Sequence, residues 1–348
     1  MKMKDLLNET LTKISNLDPQ AMDTAKQKLE GLLKPPGSLG KLEDIAIQLA
    51  GIYGTAMPQI EAKAIVMMAA DNGVYDEGFN AYPQEITKAI AEMAGPGLIG
   101  VSVLARQAGS RLVVVDVGIK GQTNASHVIN RKIKNGTGNI ARGPAMTREE
   151  AIAAIEVGIE IVNSLAAEGV GVFGTGEVGI CNTTTSAAVI AVLCGIEPSE
   201  AAGLGTGGDE IAHNRKLKAI EDALVVNRPD PNDALDVLAK VGGLDIAGLT
   251  GCYLACAAQR KPVVIDGFIA GAAALLAVQL CPAVKDYLIP SHLSAEKGAQ
   301  LVLARLGLEP MLLMNMRLGE GTGAALAFNL IDGACRIINE MGSFADLA

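Results

Sequence analysis

The stretch Gly169-Val170-Gly171-Val172-Phe173-Gly174-Thr175-Gly176-Glu177-Val178-Gly179-Ile180-Cys181-Asn182-Thr183-Thr184-Thr185-Ser186 decides how this chain of 348 residues is read. Gly169–Phe173 is short and apolar and predicts a strand, Gly174–Gly179 follows as G-x-G-x-x-G, and an Ala-rich helical segment begins at Ser186. Strand, glycine turn and helix in that order are the unit of a parallel sheet with helical crossovers.

The same texture recurs on both sides. Ala64–Ala69, Leu112–Val117, Pro262–Ile265, Asp286–Ile289 and Met311–Met316 are also short apolar runs, at least 20 residues apart. Runs of this kind suit strands buried on both faces, so the expected class is α/β, a parallel sheet flanked by helices. Each run ends in a loop that carries chemistry: Asp71-Asn72-Gly73, Gly118, Gly174–Gly179, Asp266-Gly267, Ser291-His292 and Arg317–Gly323. Ligands of open α/β sheets bind outside the carboxyl ends of the strands, so these loops are expected to converge. Ahead of the sheet, residues 4–53 place Leu6, Leu7, Leu11, Ile14, Leu42, Ile45, Leu49 and Ile52 at helical spacing around the loop Lys34–Gly40.

Composition narrows the function. Lys and Arg number 29 against 38 Asp and Glu, a net charge of −9, and no basic run is longer than the short group Arg131, Lys132, Lys134. Neither a nucleic acid nor an anionic membrane is the expected partner. The six cysteines are scattered without a C-x-x-C pair, and the N-terminus reaches Glu9 and Asp18 before any apolar region long enough for a signal peptide. Reduced core thiols in a cytoplasmic protein are expected. Gly267–Val284 is apolar apart from Gln279, but it contains Pro282 and follows Asp266, which predicts a buried helix rather than a membrane span. His127, His213 and His292 have no ligand partner at metal spacing, and no G-x-S-x-G elbow is present; no metal and no cofactor are expected.

Several motifs admit more than one reading. Gly174–Gly179 fits a phosphate cradle at a helix start, or simply a tight turn. Dinucleotide binding requires a further strand ending in an acid about 20 residues on, and the helical look of Ser186–Gly195 before Glu197 leaves no room for it. Glu177 would waste its charge beside a phosphate unless it faces sugar hydroxyls or a cation. Gly203–Asp209 is a second glycine-rich loop without the ending of a nucleotide P-loop, and Lys216 beyond it either contacts a phosphate or lies on a solvated helix face. Glu320, set between glycines after Met311–Met316, is a desolvated general base or a loop acid in water.

Six stretches together carry a resemblance over nearly the whole chain: Lys34–Gly40, Tyr82–Thr87, Gly176–Thr184, Val241–Ile246, Ser291–Gly298 and Arg317–Ala324. They resemble the nicotinate-nucleotide:dimethylbenzimidazole phosphoribosyltransferases. The resemblance implies a Rossmann-like large domain, residues 58–325, and a small helical domain from residues 1–57 plus 326–348. It implies transfer of ribose 5-phosphate from nicotinate mononucleotide to an aromatic base, with inversion to the α-ribotide and release of nicotinate. Glu320 then matches the general base and Glu177 a carboxylate near the ribose. Gly176, Gly179, Asn182, Thr183, Ser294 and Gly319 fall to phosphate and ribose, with Lys216 loosely matched. Ala81, Tyr82, Gln84 and Leu318 fall to the acceptor pocket. A dimer is implied, of like chains or with a paralogue.

Two departures bear on the acceptor. The family's Asp-His-Gly reads Asp71-Asn72-Gly73, and the serine before Tyr-Pro-Gln is Ala81. A lost hydroxyl favours a phenolic acceptor, phenol or p-cresol, beside dimethylbenzimidazole. The alternatives are an NAD-dependent oxidoreductase and a non-catalytic subunit of a paralogous transferase.

Overall fold

The computed structural model describes residues 6–205 and 209–347. Its centre is a six-stranded sheet of β1 (Ala62–Ala70), β2 (Arg111–Gly118), β3 (Val128–Asn130), β4 (Val170–Val178), β5 (Val263–Ile265) and β6 (Leu288–Pro290). All neighbours are parallel and the order is β3-β2-β1-β4-β5-β6. The chain moves outward from β1 on one side and from β4 on the other, so a crevice opens between those two strands at their carboxyl ends.

Both faces of the sheet are dry, as the apolar runs predict. On β1, Ala64, Val66, Met68 and Ala70 join one core, which also holds Ile155, Leu249 and Leu276. Ile65, Met67 and Ala69 join another with Leu49, Phe328 and Ile331. The alternation is the two-residue period of a strand. Helices Arg148–Ala167 and Leu244–Ala258 meet backbone to backbone on the first face: a Cβ at Gly251 would stand 1.9 Å from the carbonyl oxygen of Ile155.

The second face is covered by helices from both ends of the chain. Pro19–Glu30 and Lys41–Tyr53 pack with Thr322–Glu340, and the Leu33 amide donates to Gly342 O at 2.8 Å. The loop Lys34–Gly40 folds onto the first turn of Lys41–Tyr53, because the buried Glu43 carboxylate accepts the Leu39 amide and pairs with Lys34, both at 2.9 Å. The expected boundary between residues 325 and 326 falls inside the continuous helix Thr322–Glu340.

Three expectations need correction. β4 does not stop at Phe173 but continues through Val178, with Met67, Met68 and Ala69 of β1 paired to Gly176, Glu177 and Val178. The glycines are there for packing: a Cβ at Gly174 would stand 2.9 Å from that of Ala324. Met311–Met316 is not a strand; it forms a single bridge, His292 to Leu312, because β6 is only three residues long. Asp286–Ile289 is divided between a 3-10 turn, Pro282–Tyr287, and β6, while the three-residue edge strand β3 was too short to predict. The apolar run after Asp266 is the buried helix Phe268–Leu280, and no helix among the described residues is long and apolar enough to cross a membrane.

Candidate active site

The carboxyl ends of the central strands open on a cavity of about 610 Å³. Its walls are unlike in character. Tyr82, Ile86, Ile90 and Leu318 give an apolar side, and Glu177, Asp266 and Glu320 bring carboxyls to another.

Glu320 lies in a turn of three left-handed residues, with φ +84° at Gly319, +64° at Glu320 and +101° at Gly321. Its Oε2 accepts the Val101 amide at 3.1 Å, in the first turn of helix Gly100–Gln107. Burial pushes its pKa above the ordinary 4.5, and the amides of Val101 and Gly100 oppose that rise. The turn rests against β4 so closely that a Cβ at Gly176 would stand 2.1 Å from the Glu320 carbonyl oxygen.

Glu177 points from β4 into the same cavity. Burial, and then the charge of Asp245, raise its pKa to about 8, while the Asn182 amide opposes the shift. Asn182 Nδ2 donates both to Glu177 Oε2 and, at 3.0 Å, to Asp245 Oδ2. Asp245 is fully buried, which raises it to about 6. Asp266 follows β5, and burial raises it to about 7 against three backbone amides that donate to it. Four acids thus crowd one end of the cavity with their protonated forms favoured by burial, and a positively charged ligand there is the partner that would draw their protons off.

The other end suits an anion. Helix Asn182–Cys194 starts after Cys181, held at φ +70°. Lys216 is buried beside that start, its Nζ donating to Thr183 Oγ1 and Gly203 O at 3.0 Å each. Burial lowers the ammonium pKa and the charge of Glu296 acts the other way. A hollow of about 70 Å³ between Asn182, Thr183 and Lys216 adjoins the larger cavity. Of the loop Gly203–Asp209, residues 206–208 lie outside the described residues.

Most residues singled out in the sequence meet here: Glu320, Glu177, Gly179, Asn182, Thr183, Ser294, Gly319, Tyr82 and Leu318 line the cavity, and Lys216 stands at the adjoining hollow. Three do not reach it. Gly176 is inside β4, its backbone in the sheet rather than free for a phosphate. Gln84 is buried behind the wall, where its Nε2 donates to Asn72 O at 3.3 Å. Ala81 is exposed and does not line the cavity, so a hydroxyl lost at that position takes no polar contact from the walls described. Asn72, at the other departure, is buried beneath the site with Nδ2 on Ile180 O at 3.3 Å.

Sequence reasoning assigned no role to Asp245 or Asp266. Asp266 ends an apolar run, the position from which strand-end acids enter such sites, and that signal was available. Among the described residues no three His, Cys, Asp or Glu are grouped as a metal site. The dinucleotide pattern also fails structurally: helix Asn182–Cys194 is followed by the short helix Pro198–Ala201, whose N-cap is Glu197, and not by a strand.

A family model described as phosphoribosyltransferase matches residues 14–348. The chain is 50% identical over 338 residues to the nicotinate-nucleotide–dimethylbenzimidazole phosphoribosyltransferase of Ruminiclostridium cellulolyticum, covering 97% of this chain and 96% of that one. It is 50% identical over 343 residues to the protein of the same name from Dehalococcoides mccartyi strain BAV1, covering 98% and 97%. The crystal structure of CobT from Thermus thermophilus superposes with a TM-score of 0.91 at 39% identity, over 94% of this chain and 98% of that one. Sequence, sheet order and superposition agree, and the chain belongs to the phosphoribosyltransferase family of these relatives.

Proposed function

We propose that this protein transfers the ribose 5-phosphate of nicotinate mononucleotide to an aromatic base, releasing nicotinate and forming the α-ribotide used as a cobamide lower ligand. The observation that carries this reading is the polarity of the cavity: buried carboxyls at one end, and Lys216 with a helix start at the other. The donor is built the same way, with a cationic pyridinium on C1′ and a phosphate on C5′. Lys216, Thr183 and the start of helix Asn182–Cys194 take the phosphate, with Ser294 nearby.

Nicotinate leaves from a pyridinium and needs no acid. Positive charge then develops on the ribose, where Glu177, its proton drawn off by the bound cationic donor, stabilises it. The acceptor lies along Tyr82 and Leu318, attacks C1′ from the face opposite the leaving group, and gives its proton to Glu320. Attack from that face inverts β to α. Dimethylbenzimidazole is the acceptor favoured by the names of the relatives and by the apolar walls; with Ala81 away from the cavity, the case for phenol or p-cresol rests on Asn72 alone. The paired acids Glu177 and Glu320 in one cavity favour a catalytic chain over a silent subunit.

We further propose that the protein works in the cytoplasm as a dimer of like or paralogous chains. The support for an assembly is the resemblance to the family, in which a dimer is implied.

The test is a product assay of the single chain with nicotinate mononucleotide and, in parallel, dimethylbenzimidazole and phenol, following nicotinate release and ribotide together. Ribotide formation with either base supports transfer and identifies the acceptor class. Tight donor binding without turnover on either base would leave the single chain inactive and overturn the proposal for it.

A further inference from the structure

Glu320 adopts a backbone conformation that residues with side chains rarely take, between two glycines that adopt it freely. Such a turn persists only if its surroundings hold it. Thr322 holds it from within, donating its amide and hydroxyl to Gly319 O at 3.1 and 2.8 Å. The hold from outside is Asp266. Its Oδ2 accepts the Gly321 amide at 3.1 Å, and its Oδ1 accepts the amides of Gly323 and Ala324 at 2.7 and 3.2 Å. Asp266 is 2% exposed and forms no salt bridge among the described residues, so backbone amides are what balance its charge.

Three bonds from one carboxylate therefore fix the residue just after Glu320 and the first turn of helix Thr322–Glu340. Val101 fixes the other end, the Glu320 carboxylate itself. We propose that Asp266 is a positioning residue for the transfer, locking the turn Gly319–Gly323 so that Glu320 meets the proton of the acceptor. This rests on the reading of Glu320 as the base. Asp266 holds no proton in transit; it acts through the backbone on which Glu320 is mounted.

The conservative substitution is informative. Asp266→Asn keeps an acceptor for Gly323 and Ala324 but turns an NH₂ group toward the Gly321 amide, so it disturbs the contact nearest Glu320. Steady-state kinetics with nicotinate mononucleotide and dimethylbenzimidazole would be measured for the native chain, Asp266→Asn, Glu320→Gln and the double variant, with thermal unfolding alongside. Asp266→Asn is expected to lower kcat by roughly 10–10²-fold, as for a small misplacement of a reacting group. The donor KM should stay within about twofold, and in the Glu320→Gln background the same change should cost less than about twofold, because the group it positions is gone. Asp266→Ser, read the same way, carries the test if the Asn variant does not fold. Raised donor KM at native kcat, or an equal loss in both backgrounds, overturns the positioning role. Native turnover in Glu320→Gln brings down the base reading and this proposal together, whereas a slow Glu320→Gln beside a native-rate Asp266→Asn brings down this proposal alone.

Discussion

Glu320 reaches across 219 positions of sequence to the amide of Val101, and its carboxylate ends on the first turn of a helix at 3.1 Å. The positive end of that helix favours the ionised acid, while burial favours the protonated one. Burial prevails, and the carboxyl titrates above its ordinary value.

Replacing Glu320 with Gln should therefore lower turnover by roughly 10²–10⁴-fold with donor affinity nearly intact, as removal of a general base does. The base must be unprotonated, so activity of the native chain should fall on the acid side through a midpoint above 4.5. Rate profiles from about pH 4.5 to about pH 8 check both points, and the acid limb should flatten in the variant.

Glu177 carries a different pH signature. Its folded pKa, about 8, exceeds the ordinary 4.5, so the folded chain holds a proton that the unfolded chain releases between those values. Its contribution to stability is present below about 4.5 and is lost as pH rises toward 8. Glu177→Gln, which stays neutral, should thus gain on the native chain as pH rises from about 5 to about 9. Thermal midpoints across that range measure the gain, and a constant difference would contradict it.

Lys216 tests the anion end. Lys216→Met removes the ammonium bonded to Thr183 and should raise the donor KM about tenfold or more, with a smaller change in kcat, as for loss of uniform binding. A change confined to kcat would place the phosphate elsewhere.

Two glycines separate close approach from spare freedom. A Cβ at Gly319, φ +84°, would stand 2.3 Å from Glu177 Oε1, so Gly319→Ala should destabilise by about 1–3 kcal/mol and abolish most activity. At Gly333, in helix Thr322–Glu340, a Cβ meets nothing within 4 Å, and Gly333→Ala should stabilise by about 0.5–1 kcal/mol. Urea denaturation of the pair gives both signs.

What could be read in the sequence followed local chemistry. The β1 and β2 runs were legible because strands buried on both faces are apolar at nearly every inner position, the buried Asp116 of β2 excepted, and Glu320 because a carboxylate between glycines is unusual anywhere. The extension of β4 was not legible. Gly174, Thr175 and Gly176 look like a turn, and only the approach of Ala324 and the Glu320 carbonyl shows why a strand there needs small residues. Asp245 escaped for the same reason, and Asp266, though its loop was expected at the site, gave no sign of its role: their neighbours Asn182 and Gly321–Ala324 lie 55 to 63 positions away. The exposure of Ala81 was equally invisible, since spacing does not tell which side of a loop faces a ligand.

Helix Thr322–Glu340 follows the turn that carries Glu320, and its Phe328 and Ile331 complete the core on one sheet face. A chain without this helix therefore has an open apolar face over Ile65 and Val172, and the turn of Glu320 loses the amides of Gly323 and Ala324 through which Asp266 anchors it. Such a chain is at once inactive and greasy, a ready target for chaperones and proteases, so one helix ties folding quality to catalytic competence.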